Sequence, residues 1–177
     1  YPQFGVSATW FGRTSARGYA KISLQMDTRV EESEFTNHTG RADVGLWYHL
    51  GRYDLISITA RGEYLSRMED PVQLLLGSGR GLRGFEAQAY DGTRLLVSNV
   101  EWRHTLKVSR SWALALALFT DAGVIWYDDE EFSKLPLLVG SGAGVRLSIP
   151  GLIGGPVFRL DFGYGFRDSY LDVSFSV

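Results

Sequence analysis

Cysteine is absent from the 177 residues, so neither a disulfide framework nor a thiolate metal site is available. An excess of one charge sign is missing too. The 18 basic and 20 acidic side chains leave a formal net charge of −2 with both signs spread along the chain, which provides no basic footprint for nucleic acid. Histidine is scarce: His38, His49 and His104 lie far apart without metal-ligand spacing, so structural roles, and no metal or cofactor, are expected. No apolar run approaches the roughly 20 residues of a spanning helix. The longest uncharged stretches reach about a dozen residues, and one of them, "LSIPGLIGGPVF" from Leu147 to Phe158, holds two prolines. No basic segment followed by an apolar block opens the chain, so a mature or trimmed sequence is expected. No linker or low-complexity segment divides it, and its length suits one domain.

What is abundant points to strands. Aromatics make up 14% and glycines number 21, a mix that favours strands and tight turns. A mean hydropathy of −0.07 would by itself suggest a soluble protein, but the period of the pattern says otherwise. From Trp112 to Tyr127, "WALALALFTDAGVIWY" alternates strictly, with Trp112, Leu114, Leu116, Leu118, Val124 and Trp126 on one face and Phe119, Asp121 and Gly123 on the other. That period means a strand, and an unusually long one. The two tryptophans are separated by roughly 33 Å vertically if the strand tilts near 45°, the spacing of aromatic girdles at the two edges of a bilayer.

Seven further segments alternate in the same way, beginning near Gly18, Arg41, Tyr53, Thr93, Leu138, Val157 and Ser169. Eight strands, most of about ten residues or more, exceed the five or six usual in soluble sheets. The expected fold is therefore all-β: a transmembrane antiparallel β-barrel with its apolar face toward lipid and its charged face toward the lumen. A soluble sandwich is the rival. Residues 1–17 form an amino-terminal segment whose "FGVSATWFGR" also alternates as a candidate ninth strand. Residues 18–177 form the barrel domain, with a long loop at 69–92. Short links ("GR", "KVSRS", "PGLIGG") alternate with longer polar ones ("EESEFTNHTG", "DDEEFSKLP" and the 69–92 stretch), the asymmetry of outer-membrane barrels.

The 69–92 loop holds "GSGRGLRGF", in which Gly79, Gly81 and Gly84 spell G-x-G-x-x-G after the apolar "VQLLL". A dinucleotide fingerprint needs a helix to open at the third glycine and an acidic residue about 20 positions on. Here an Asp-Gly turn signal and a strand pattern follow within a few residues, leaving no room for the helix.

"GLRGF", then "DGTRLLVSNVEWR", "LALFTDAGVIW" and "GSGAGVRLSIPGLIGGPVFRLDFGYGF" together resemble the carboxy-terminal barrel of the bacterial surface-antigen superfamily, which includes the outer-membrane assembly insertase and the two-partner-secretion transporters. The resemblance covers about residues 77 to 177. It implies a loop folded back into the lumen, with Arg83, beside Gly84 and Phe85, paired mainly to Asp121 and secondarily to Glu101. The polar face of each strand independently carries Asp121 and Glu101. Gly81 would let the loop turn, while Gly123, Gly142 and Gly144 would leave it space. The resemblance also implies a weakly paired seam between first and last strands, carried here by Gly18, Ile22 and Leu24 and by Val173 and Phe175.

Eight strands close around an interior just wide enough for their own side chains, so a loop of some twenty residues will not fit inside one copy. Self-association into a homodimeric composite of about sixteen strands is expected; the alternatives are a piece of a longer transporter, or an open barrel with the loop plugging a gap. The expected function is protein or lipid handling at the bacterial outer membrane, with the bilayer and an unfolded polypeptide or barrel-protein client as partners. A passive pore or structural barrel is the rival, and no catalysis is expected.

Overall fold

The computed structural model describes residues 2–31, 34–68, 72–150 and 157–177. It is all-β. In chain order the strands are β1 (Gln3–Arg13), β2 (Gly18–Glu31), β3 (Glu34–His49), β4 (Asp54–Ser66), β5 (Leu74–Leu76), β6 (Tyr90–Gly92), β7 (Arg94–Val108), β8 (Ala113–Trp126), β9 (Leu138–Ser148), β10 (Val157–Gly165) and β11 (Tyr170–Ser176). Nine of them form one antiparallel sheet in the order β1-β2-β3-β4-β7-β8-β9-β10-β11, while β5 and β6 make a separate two-stranded ribbon inside the long loop. Each strand thus lies beside its chain neighbour, with the loop between β4 and β7 as the one long excursion.

Three differences from the sequence reading stand out. The sheet has nine strands rather than eight, because the amino-terminal segment pairs along its whole length, from Gln3 with Arg29 to Arg13 with Tyr19. Gly18, Ile22 and Leu24 consequently lie on β2, paired on both sides, and the free edges are β1 and β11. In addition, the polar "EESEFTNHTG" is largely strand, since β3 begins at Glu34 and its pairing with β2 continues past a bulge between Asp27 and Arg29. Charged residues do not prevent pairing where both strand edges are already aligned by the apolar rows below. The "PGLIGG" link, apart from Pro150, lies outside the described residues.

The alternation is realised as two unlike faces. Leu24, Leu46, Ile58, Val100, Leu118, Phe162 and Val173 are all exposed on one side. On the other, the buried Leu76, Leu82 and Phe85 of the loop pack with Leu95, Val97 and Leu138 of the sheet. The hydrophobic core is therefore a loop-to-sheet contact on one face. That inner face is concave. Trp47 of β3 and Ser174 of β11 line one cavity of about 390 Å³, yet six strand spacings would separate them by about 29 Å on a flat sheet. The sheet therefore curls around the loop.

Candidate functional site

The loop enters the concave face because its own sequence alternates between groups that seek burial and groups that seek a partner. Leu82 and Phe85 are completely buried, with Phe85 edge-on to Tyr90 at 6.0 Å between ring centroids. Between them stand Arg83 and Gly84. Gly84 has φ +85°, a region where a β-carbon is strained. There is no space for one either, since it would sit 2.6 Å from the Tyr164 carbonyl carbon. The loop backbone is pressed against β10, where Gly163 offers no side chain and its own added β-carbon would meet Gly84 N at 2.6 Å.

Arg83 gathers three carboxylates. Its Nε donates to Asp121 Oδ2 at 2.7 Å and its Nη2 to Asp121 Oδ1 at 2.8 Å, the parallel pair that only a guanidinium makes. Its backbone N–H donates to the same Oδ2 at 3.0 Å. Nη1 reaches Glu101 Oε2 at 2.9 Å and Asp161 Oδ2 at 3.3 Å. Below the guanidinium lies the Phe119 ring, 3.5 Å from Cζ to centroid, a contact that adds attraction to the ring's negative face. The arginine side chain is 16% exposed and that of Asp121 0%. Burial works against the charge on Arg83, but the bonds and attraction of Asp121, followed by Glu101, outweigh it and hold the group more firmly protonated than a free arginine.

A second arginine completes the network. Arg146 of β9 donates from Nη1 to Asp161 Oδ1 at 2.6 Å and from Nη2 to Glu101 Oε2 at 2.8 Å. Arg103 pairs with Glu101 from the next inward position on β7. The rest of the loop is tied on both flanks. Asn99 Nδ2 donates to the Gly81 carbonyl at 2.6 Å, Arg61 of β4 donates to the Arg80 carbonyl, and Ser78 Oγ donates to Asp172 of β11 at 2.7 Å. One loop thus bridges strands from β4 to β11.

Of the residues expected at this site, Arg83, Gly84, Phe85, Asp121, Glu101 and Gly81 come together. The three accommodating glycines divide their roles. Gly123 faces Leu76 of the loop segment, Gly142 leaves room for the Phe119 ring, and Gly144 leaves room for the Arg146–Asp161 pair. The loop backbone itself lies over Gly140, Gly163 and Gly165. Strand alternation put Asp161 and Gly163 on the polar face, so the signal was present. What it lacked was which polar-face residues meet across the cavity. Val173 and Phe175 are exposed on the edge strand β11.

No model of a known protein family matches the chain, and no curated protein matches it at a significant level.

Proposed function

We propose that the chain is a wall of an outer-membrane β-barrel of the bacterial surface-antigen type, inserting or exporting polypeptides through a weakly paired seam. The observation that carries this reading is Arg83, buried on the inner face against Asp121 and Glu101 as the resemblance of the loop and strand motifs requires. The outer face supports it: its many exposed leucine, isoleucine, valine and phenylalanine side chains, interrupted by polar groups such as the hydrogen-bonded Thr120–Ser141 pair, are intelligible where the solvent is hydrocarbon. In that setting β1 and β11, each paired on one side only, carry backbone groups that hydrocarbon leaves unsatisfied. Further strands, from a second copy or from a longer wall, would complete them, and an opening at such a junction presents edges that template an incoming strand. Asp121 and Glu101 are engaged by arginines, which fits a socket for Arg83 better than an acid/base pair.

The test is reconstitution into planar bilayers with an unfolded outer-membrane barrel protein as client. Flickering or closed behaviour with client-dependent block, together with client insertion into vesicles carrying the protein, is expected. Steady, unspecific current indifferent to the client would instead mean a passive pore.

A further inference from the structure

The concave face carries more cations than the lock can use. Four guanidinium groups, Arg83, Arg103, Arg146 and Arg159, stand among three carboxylates, Glu101, Asp121 and Asp161. Every carboxylate oxygen is already engaged. Asp121 gives both of its oxygens to Arg83. Glu101 takes Arg103 on Oε1 and Arg83 with Arg146 on Oε2. Asp161 takes Arg146 on Oδ1 and Arg83 on Oδ2. Among the described residues, none of the ion pairs of these three carboxylates goes to Arg159. Its cross-strand neighbour is Arg146, and like charges directly opposite one another are destabilising.

Arg159 and Arg103 both line the cavity of about 390 Å³ beneath the lock, and Ser174 and Ser176 of β11 line it from the side. Arg159 is registered opposite Ser176 and Asp161 opposite Ser174. Arg83, Glu101 and Asp161, whose charges are paired with one another, line the cavity as well. Beside them it presents the Arg103 and Arg159 guanidinium forks, the latter outside these ion pairs among the described residues, and two hydroxyls, with space for an anionic group and several waters. Planar guanidinium donors and hydroxyls are the groups that recognise oxyanions.

We infer that this cavity binds one oxyanion group, a phosphate or a carboxylate, held by Arg159 and Arg103 with the hydroxyls of Ser174 and Ser176. The inference does not depend on what the barrel transports. An entering oxyanion supplies the missing negative charge, removes the Arg146–Arg159 repulsion and so stabilises the folded chain.

The experiment follows the thermal unfolding midpoint of the full chain in uncharged detergent, titrated with sodium phosphate, sodium acetate or sodium chloride at matched ionic strength. A saturable rise with phosphate or acetate beyond that with chloride is expected. Response to phosphate alone identifies a phosphate-bearing ligand, and an equal response to acetate a carboxylate. Arg159→Gln should weaken the apparent affinity about tenfold or more, whereas Arg167→Gln, on the exposed β10–β11 turn, should bind as the parent does. Without added anion, Arg159→Gln should unfold no earlier than the parent, because it removes a repelled charge. Ser174→Asp, which places a carboxylate at the cavity, should raise the basal midpoint and abolish the phosphate response. Equal shifts in all three salts, or an undiminished phosphate response in Arg159→Gln or Ser174→Asp, would overturn the inference.

Discussion

Asp121 has no contact with solvent and receives three hydrogen bonds from one residue, and among the described residues Arg83 is the one cation paired with it. Removing one partner of a buried pair leaves the other uncompensated, at a cost of about 3–5 kcal/mol. Arg83→Ala should therefore lower stability by about that amount in tryptophan-monitored unfolding, and should open the loop to protease between Gly79 and Gly84. Arg80→Ala should do neither, because only its backbone carbonyl is used in the inward contacts. Gly84→Ala meets both a left-handed φ and the β10 backbone, so a loss of about 2 kcal/mol or more is expected by the same measurement.

Tyr90 supplies a pH test outside the long strands. Burial, reinforced by its hydrogen bond to Asp168, pushes its hydroxyl up to about 12 from the usual 10. The folded chain holds that proton more tightly than the unfolded chain. Its stabilising contribution is thus complete below pH 10 and is lost as pH rises through about 12. Unfolding midpoints across pH 9 to 12 should fall less steeply in Tyr90→Phe than in the parent.

At the scale of elements, the loop is held by apolar burial and polar pairing at once. Leu76, Leu82 and Phe85 supply the buried area, while Arg83, Asn99 and Ser78 fix position. Phe119 connects the two, as a β8 ring lying flat beneath the loop's arginine. Phe119→Leu keeps the volume roughly but removes the ring face, and should cost about 1 kcal/mol or somewhat more. Its loop should become intermediate in protease sensitivity between the parent and Arg83→Ala. The glycine-bearing inner faces of β9 and β10 were legible as polar-face positions. That Gly140, Gly163 and Gly165 would carry the loop, rather than Gly142 and Gly144, depends on how far the loop reaches around the curl, and a one-dimensional period contains no such distance.

For the whole molecule, the unresolved demand is at the edges. β1 exposes Val6 (75%) and Phe11 (64%) and β11 exposes Leu171 (66%) and Phe175 (68%), and among the described residues each of these strands is paired on one side only. If the wall is completed by a second copy, light scattering with the detergent contribution subtracted should return the mass of two chains. Cysteines introduced at Val6 and Val173 should then cross-link between chains. A monomeric mass with solvent-reactive edges would leave a longer wall as the source of the missing strands.

Alternation by itself determined that this chain is built of long strands with one apolar and one polar face, because side chains on a strand can point only two ways. The same parity placed Asp121, Glu101, Arg159 and Asp161 on a common face before any pairing was known. Tertiary structure alone decided that the amino-terminal segment joins the sheet as a ninth strand, that Asp161 and Arg146 enter the network around Arg83, and that Arg159 stands, among the described residues, outside those ion pairs. Those outcomes depend on register and curvature, which bring strands far apart in the sheet within a few ångströms, and such distances arise from the summed pairing of all the strands rather than from any one segment.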